Sequence, residues 1–282
     1  MIKVLKPGFY STIQDQGRFG QRSYGVPASG AMDLYSYEFA NALLGNHKHD
    51  AVLEMTMTGA ELQFLKPTII SITGAEMHPK LNNQPIAMFK AVLVKTNDVL
   101  SFGSLLIGFR TYLAVKGGLL TETVLGSRSM QKGITKAERI ERGDTIAITD
   151  YSGLENSKNA KLNFKLKILS ETNLEVMKGP EFHKLSKTQQ NVLFLQEFKV
   201  SKFNNRMAYQ LLPLFQNNLE SFLTAPVLPG TVQLTPSGQL IVLMRDCQAT
   251  GGYPRILQLT ENSINILSQK TTGNSLKISL KD

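Results

Sequence analysis

Glu61-Leu62-Gln63-Phe64-Leu65-Lys66-Pro67-Thr68-Ile69-Ile70-Ser71-Ile72 is the stretch on which the fold turns. Two short runs, Glu61–Phe64 and Thr68–Ile72, are rich in aromatic or β-branched residues and predict strands. The Pro67 between them cannot donate to a strand ladder and marks the break. Working outward, the same style recurs at Ile2–Leu5, Ala91–Val94 and Thr111–Val115. It continues in the second half at Lys165–Leu169, Thr231–Leu234, Leu240–Met244 and Leu276–Leu280. Gly, Pro and Asn punctuate these runs, and short strands at close spacing predict barrels or sandwiches in a mainly-β protein.

Helical signals are few. Met32–Leu44 is the strongest, with Phe39, Ala40, Leu43 and Leu44 on one face, Asp33 in the first turn and Gly45 as its stop. Weaker helices are expected over Lys184–Leu193 and over Glu261–Gln269, where Ile264, Leu267 and Ser268 share a side. A length of 282 residues suggests two domains. Residues 152–163 are polar and aperiodic, so the expected organisation is a first unit over 1–152, a linker over 153–163 and a second unit over 164–282.

A hydrophobic fraction of 42% with 19% charged residues is ordinary for a globular protein and argues against long disorder. One cysteine, Cys247, excludes an intrachain disulfide and fits a reducing compartment. Met1–Tyr10 alternates polar and apolar residues, unlike a signal peptide, and no apolar run is long enough to span a bilayer. The expected location is the cytoplasm, away from any membrane. The net charge of +9 is dispersed: 16 basic against 13 acidic residues in 1–150, and 15 against 9 in 151–282. Nucleic-acid binding would need a clustered basic face, so a solvated surface or a site for small anionic substrates is the better reading.

Three clusters carry candidate chemistry. The first is Thr12-Ile13-Gln14-Asp15-Gln16-Gly17-Arg18 followed by Gly25-Val26-Pro27-Ala28-Ser29-Gly30-Ala31-Met32-Asp33. A loop of this kind entering a helix either offers backbone N–H groups to an anion or simply caps the helix. The second is Val124-Leu125-Gly126-Ser127-Arg128-Ser129, where glycine allows close approach and a guanidinium flanked by hydroxyls suits a carboxylate or phosphate, or else a surface salt bridge. The third is Arg245-Asp246-Cys247-Gln248-Ala249-Thr250-Gly251-Gly252-Tyr253-Pro254, either a ligand turn or a tight structural one. His47 and His49 lie two apart, and no Cys/His/Asp set has zinc spacing, so no metal is expected. No phosphate-binding glycine loop opens a helix after a strand. Cys247 reads as a buried thiol rather than a nucleophile. Lys178, after Met177, lacks a biotin-acceptor context, so no covalent biotin is expected on this chain.

Together these clusters resemble the KipA family, also called allophanate hydrolase subunit 2-like, which takes in the C subunit of 5-oxoprolinase and part of the carboxyltransferase region of urea carboxylase. The resemblance runs nearly end to end. It includes Ile13-Gln14-Asp15-x-Gly17-Arg18, Gly25-Val26-Pro27-x-Ser29-Gly30-x-Met32-Asp33, Ala40-Asn41-x-Leu43-Leu44-Gly45-Asn46 and Gly126-Ser127-Arg128-Ser129. In the second half it includes Asn205-Arg206-Met207-x-Tyr209, Pro226-Val227-Leu228-Pro229-Gly230 and Asp246-x-Gln248-x-Thr250-Gly251-Gly252-Tyr253-Pro254. Met130-Gln131 stands where the family often has Thr-Asp, Ala249 replaces a usual Thr, and Thr172–Leu195 matches loosely.

The resemblance implies two cyclophilin-like β-barrel units and ATP-dependent opening of 5-oxoproline, with ATP used by a complex. The implied partners are a KipI-like B subunit (allophanate hydrolase subunit 1-like) and a LamB/YcsF-like A subunit. Among the matched residues, Arg128 and Arg206 are the candidates for holding a substrate carboxylate or phosphate, and Asp15 or Asp246 for orienting water or acting as base. Gln14, Ser29, Ser127, Gln248, Gly251, Gly252 and Tyr253 would line the site. The loops from the two halves are expected to converge on one anion-holding cleft. Two rival roles fit the same family: a biotin-dependent carboxyltransferase component, and a non-enzymatic KipA-type regulator that binds a KipI-like kinase inhibitor.

Overall fold

A computed structural model describes residues 1–151, 153 and 163–281. Strands dominate it, and they belong to two compact units. One comprises Met1–Arg18 and Ser29–Ser170, the other Phe19–Ala28 and Glu171–Asp282. The chain therefore leaves the first unit after Arg18, contributes residues 19–28 to the second, and returns at Ser29.

The first unit holds two antiparallel sheets. In one, Ile2–Lys6 pairs with Thr145–Ile146 on one side and Glu61–Phe64 on the other, followed by Val99–Ser101, Lys80–Leu81 and Gln84–Pro85. The other runs Tyr10–Gln14, Val52–Thr56, Ile107–Val115, Thr68–Glu76, Ala91–Val94. Alternation decides which side chains enter the core, because successive strand residues face opposite ways. Ile2 and Val4 are buried while Lys3 is exposed, and Leu62 and Phe64 are buried between half-exposed neighbours. These side chains meet Ile13, Leu53, Met55, Ile70, Ile72, Leu113 and Val115 in one core supplied by both sheets.

The two longest strands, Thr68–Glu76 and Ile107–Val115, are buried on both faces. Leu113 and Val115 face the main core, whereas Tyr112 and Ala114 face a helix over Leu34–Leu44. That helix starts two residues later than Met32 because Asp33 is its cap, accepting from Ser36 N at 3.0 Å and Ser36 Oγ at 2.6 Å. Gly45, at φ 59°, ends it. Tyr37, Ala40, Asn41 and Leu44 are buried, while Phe39 and Leu43 are only half-buried. Phe39 instead joins an aromatic cluster with Tyr35, Phe89 and Phe164, the last two stacked at 4.4 Å.

This cluster corrects two sequence expectations. Lys165–Leu169 is not a strand; Lys167–Ser170 forms a single helical turn that buries both Ile168 and Leu169. Phe164 packs on the first unit, and Lys165 N donates to Tyr35 Oη at 2.9 Å, so the division between units falls after Ser170 rather than at 163/164. Most of the expected linker, at 154–162, lies outside the described residues.

The second unit is a closed seven-stranded barrel. Its strands run Asn173–Lys178, Arg255–Leu259, Thr231–Leu234, Leu240–Leu243, Ala208–Leu212, Phe198–Asn204, Ser275–Leu280, and the last pairs in parallel with the first. Closure leaves this sheet no free edge. A barrel is thus present in the second unit, while the first has its two sheets. The helix over Lys187–Leu195 starts three residues later than Lys184 because Ser186 and Gln189 form a reciprocal capping box. Thr260 caps the helix over Glu261–Ser268.

Candidate functional site

Asp15 follows directly on the strand Tyr10–Gln14 and organises everything around it. Its Oδ1 accepts from Gly17 N at 2.8 Å and from the hydroxyls of Ser127 and Ser129, each at 2.6 Å. Its Oδ2 accepts from Arg128 N at 2.7 Å. Asp15 N in turn donates to Ser129 Oγ at 3.1 Å. The Gly-Ser-Arg-Ser stretch can wrap a carboxylate because Val124 and Ser127 close a two-residue hairpin, with mutual N–H···O bonds of 2.8 and 3.2 Å. Its central residues, Leu125 at φ 52° and Gly126 at φ 80°, are both left-handed, as a primed turn requires.

A second layer secures this loop. Arg18 is fully buried; Nε donates to Val124 O and Nη1 to Gln131 Oε1, each at 3.3 Å, and Nη2 donates to Ser129 O. Ser29 Oγ also donates to Gln131 Oε1, at 2.6 Å. Gln14 Nε2 donates to Thr12 Oγ1 and Met130 O. Ser29, Gln14 and Ser127, expected to line a site, are therefore buried and engaged in holding the turn. Met130 and Gln131, the residues that depart from the family pattern, take part in the same scaffold.

The loop into the first helix already carries an anion of its own. Met32 N donates to Glu54 Oε2 at 2.7 Å, and Asp33 N to Tyr112 Oη at 2.8 Å. Glu54 is buried, 3.8 Å from the guanidinium of buried Arg110. Burial, followed by the charges of Glu54 and Asp33, pushes the Tyr112 hydroxyl well above its ordinary pKa. The capping reading of this loop, rather than the external-anion reading, matches its hydrogen bonds.

A pocket of about 140 Å³ opens beside the Asp15 scaffold, lined by Asp15, Gln16, Gly17, His49, Thr123, Gly126 and Arg128. Arg128 is pinned through its main chain, and no described residue hydrogen-bonds or ion-pairs with its guanidinium. His49 is exposed, lies 4.9 Å ring to ring from His47, and has no hydrogen bond to its ring nitrogens from the described residues. Sequence reasoning missed His49, Gln16 and Thr123. Only the closure of the loop between the first helix and Val52–Thr56 brings an imidazole beside residues 15 and 128.

In the second unit two of the expected site residues, Arg206 and Asp246, are paired with each other. Arg206 grips Asp246 with two hydrogen bonds, Nε to Oδ2 at 2.9 Å and Nη2 to Oδ1 at 3.1 Å, and is itself buried. Asp246 is thereby engaged as an ion-pair partner. Arg22, in the excursion 19–28, donates through Nη2 to Gln248 O at 3.0 Å and to Val227 O. Cys247 beside it is fully buried, and burial pushes its thiol up in spite of the Arg22 charge. Arg255 holds Glu181 with bonds of 3.0 and 2.8 Å, which keeps that carboxyl below the usual range.

The paired glycines answer to packing. A Cβ on Gly251 would stand 2.4 Å from Gln233 Nε2, and one on Gly252 would stand 2.8 Å from Phe222 O. Tyr253 O accepts from Gln233 Nε2 at 3.5 Å, and its ring is partly exposed. Among the described residues no group of three or more His, Cys, Asp or Glu side chains comes together to hold a metal ion. No helix among them is long and apolar enough to cross a membrane.

A mainly-β chain with these loops belongs to the carboxyltransferase-domain family, subdomains A and B, whose model matches residues 24–280. Among curated proteins it is similar to the C subunit of 5-oxoprolinase from Escherichia coli (strain K12), 31% identical over 98% of this chain and 90% of that one. The Haemophilus influenzae protein of the same name is 30% identical over the same shares. Urea amidolyase of Lachancea kluyveri is 43% identical, over 45% of this chain and 7% of that protein. Among solved structures, TTHA0988 superposes with a TM-score of 0.88 at 25% identity, over 99% of this chain and 55% of that one. The K. lactis urea amidolyase gives 0.87 at 26% identity, over 98% of this chain and 18% of its own. The chain thus spans about half the length of TTHA0988 and under a fifth of the yeast enzyme.

Proposed function

We propose that this chain is the C subunit of an ATP-dependent 5-oxoprolinase, opening 5-oxo-L-proline to L-glutamate together with partner subunits in the cytoplasm. The observation that carries this reading is relatedness across 98% of this chain and 90% of the Escherichia coli protein, whereas the urea amidolyases are matched over only 7% and 18% of their own lengths. The partners would be KipI-like and LamB/YcsF-like proteins.

Opening a lactam means overcoming amide resonance. Phosphorylation of the lactam oxygen by ATP makes the ring carbon a better electrophile, and the tetrahedral intermediate then needs fixed donors for its charge. On this chain Arg128 is the residue suited to hold an anionic group, because its backbone is fixed and its guanidinium is not engaged by the described residues. Asp15 keeps Arg128 in place. Glutamate release from 5-oxoproline and ATP, assayed with the two partner proteins present, tests the reading. Arg128→Ala should cut turnover at least about tenfold or raise KM as much. Unchanged turnover and affinity would remove Arg128 from the site, and no glutamate from the wild-type complex would remove the reaction.

The family model favours a second reading, a biotin-dependent carboxyltransferase component, with biotin carried on another protein. Substrate carboxylation that requires a biotin carrier, with no glutamate formed, would select it.

A further inference from the structure

We propose that the pocket beside Asp15 and Arg128 binds inorganic phosphate and rejects sulfate, because Asp15 demands a ligand that brings its own proton. The proposal deepens the reading above and rests on it for the location of the site and the source of the phosphate.

The two oxygens of the Asp15 carboxylate are unequally occupied. Oδ1 accepts three hydrogen bonds, from Gly17 N, Ser127 Oγ and Ser129 Oγ. Oδ2 accepts one, from Arg128 N. A carboxylate oxygen offers about two lone-pair sites, so Oδ2 still has room for a donor. Asp15 lines the pocket. In this proposal Oδ2, the less occupied oxygen, is the one an entering anion meets, a negative charge with spare acceptor capacity. A fully ionised oxyanion is repelled there, whereas one with an O–H group turns the same contact into a charge-assisted hydrogen bond. Inorganic phosphate keeps at least one P–OH near neutral pH, while sulfate and carboxylates do not.

The remaining lining supplies the attraction. Arg128 and His49 bring nitrogen donors that the described residues leave unengaged. The guanidinium fork matches two oxygens of a tetrahedral anion. Nothing lies within 4 Å of the place a Cβ of Gly126 would take, so the rim on that side is open to a ligand. Size narrows the occupant further. At about 140 Å³ the pocket is several times the roughly 30 Å³ share of one water, and well under the roughly 300 Å³ at which pockets hold drug-sized molecules. It suits phosphate with a few waters, and a larger molecule would have to extend over the open rim at Gly126. Phosphate is also what an ATP-hydrolysing reaction releases.

The test is calorimetric titration of the purified full chain with sodium phosphate and, separately, with sodium sulfate at equal ionic strength. Phosphate should bind, and sulfate should bind at least about tenfold more weakly, a gap of about 1.4 kcal/mol. Arg128→Met, whose side chain leaves the fold's hydrogen bonds intact, should weaken phosphate about tenfold or more, and His49→Asn several-fold. Equal affinity for the two anions would show that Asp15 accepts nothing from the ligand. Unchanged phosphate binding in Arg128→Met would place the anion elsewhere, and no phosphate binding in the wild type would remove the site. Any of the three overturns the proposal while leaving glutamate release by the complex, and hence the oxoprolinase reading, to stand or fall by its own assay.

Discussion

The main-chain N–H of Arg128 donates to Oδ2 of Asp15 at 2.7 Å, while the Arg128 guanidinium stays unengaged by the described residues. The carboxylate thus serves the arginine's backbone and not its head. Residues more than a hundred positions apart are joined in this way without an ion pair between their side chains.

Asp15→Ala removes the acceptor for four donors at once. Each buried donor left unpaired costs about 1–3 kcal/mol, less whatever water recovers. The expected loss is on the order of 3 kcal/mol, or roughly 6–12 °C in Tm for a unit of this size. Differential scanning calorimetry checks it, and a loss under about 0.5 kcal/mol, the range of ordinary surface substitutions, would show that the turn holds without the carboxylate.

Arg206 and Asp246 should couple strongly. Removing either leaves the other charge in a largely buried place, which costs about 3–5 kcal/mol, whereas removing both with apolar residues costs much less. A double-mutant cycle of Arg206→Met and Asp246→Leu, read by urea unfolding, should return a coupling energy above about 1 kcal/mol. Additive losses would mean that the pair contributes little.

The two adjacent glycines should differ. Gly251→Ala meets the end of the Gln233 side chain, which can swing aside, but Gly252→Ala meets the carbonyl of Phe222. The second substitution should destabilise by at least about 1–2 kcal/mol more than the first, as overpacking against fixed atoms does. Thermal denaturation of the two variants side by side decides it; equal losses would contradict the packing role.

Lys270 is buried, and burial lowers its pKa to about 8, against a smaller opposing pull from Glu171. The unfolded chain then binds more protons than the folded one between about pH 8 and 10.4, so this group makes stability rise with pH across that window. The full gain is present above the unfolded value and is lost as pH falls to about 8, on the order of 3 kcal/mol in all. Lys270→Met should flatten that segment of the stability–pH curve. An unchanged slope would place the ammonium in water.

Much of the fold is legible in local pattern. Glu61–Phe64, Ala91–Val94 and Thr231–Leu234 are strands at the expected bounds because alternation and β-branching act within the segment itself. Lys165–Leu169 has the same look but runs into the helical turn Lys167–Ser170, directly after Phe164, which is drawn into an aromatic cluster built from residues 35, 39 and 89. Nothing in the composition of residues 19–28 tells of their membership in the second unit, since Arg22 finds its partners more than 200 positions away. The polar clusters themselves are visible in sequence, yet their division of labour is not. Whether an arginine is left unengaged by the described residues, like Arg128, or engaged, like Arg206, depends on which carboxylate the tertiary fold brings beside it. His49 gives no local signal at all, being one of two histidines in a short exposed loop.

The detour of residues 19–28 means that the polypeptide passes between the units at three places, after Arg18, after Ala28 and after Ser170. A protease that nicks any one of them still leaves the two bodies covalently tethered through the others. No contiguous gene fragment can encode the first body whole without carrying a piece of its neighbour, so the pair is transmitted and expressed as one indivisible module.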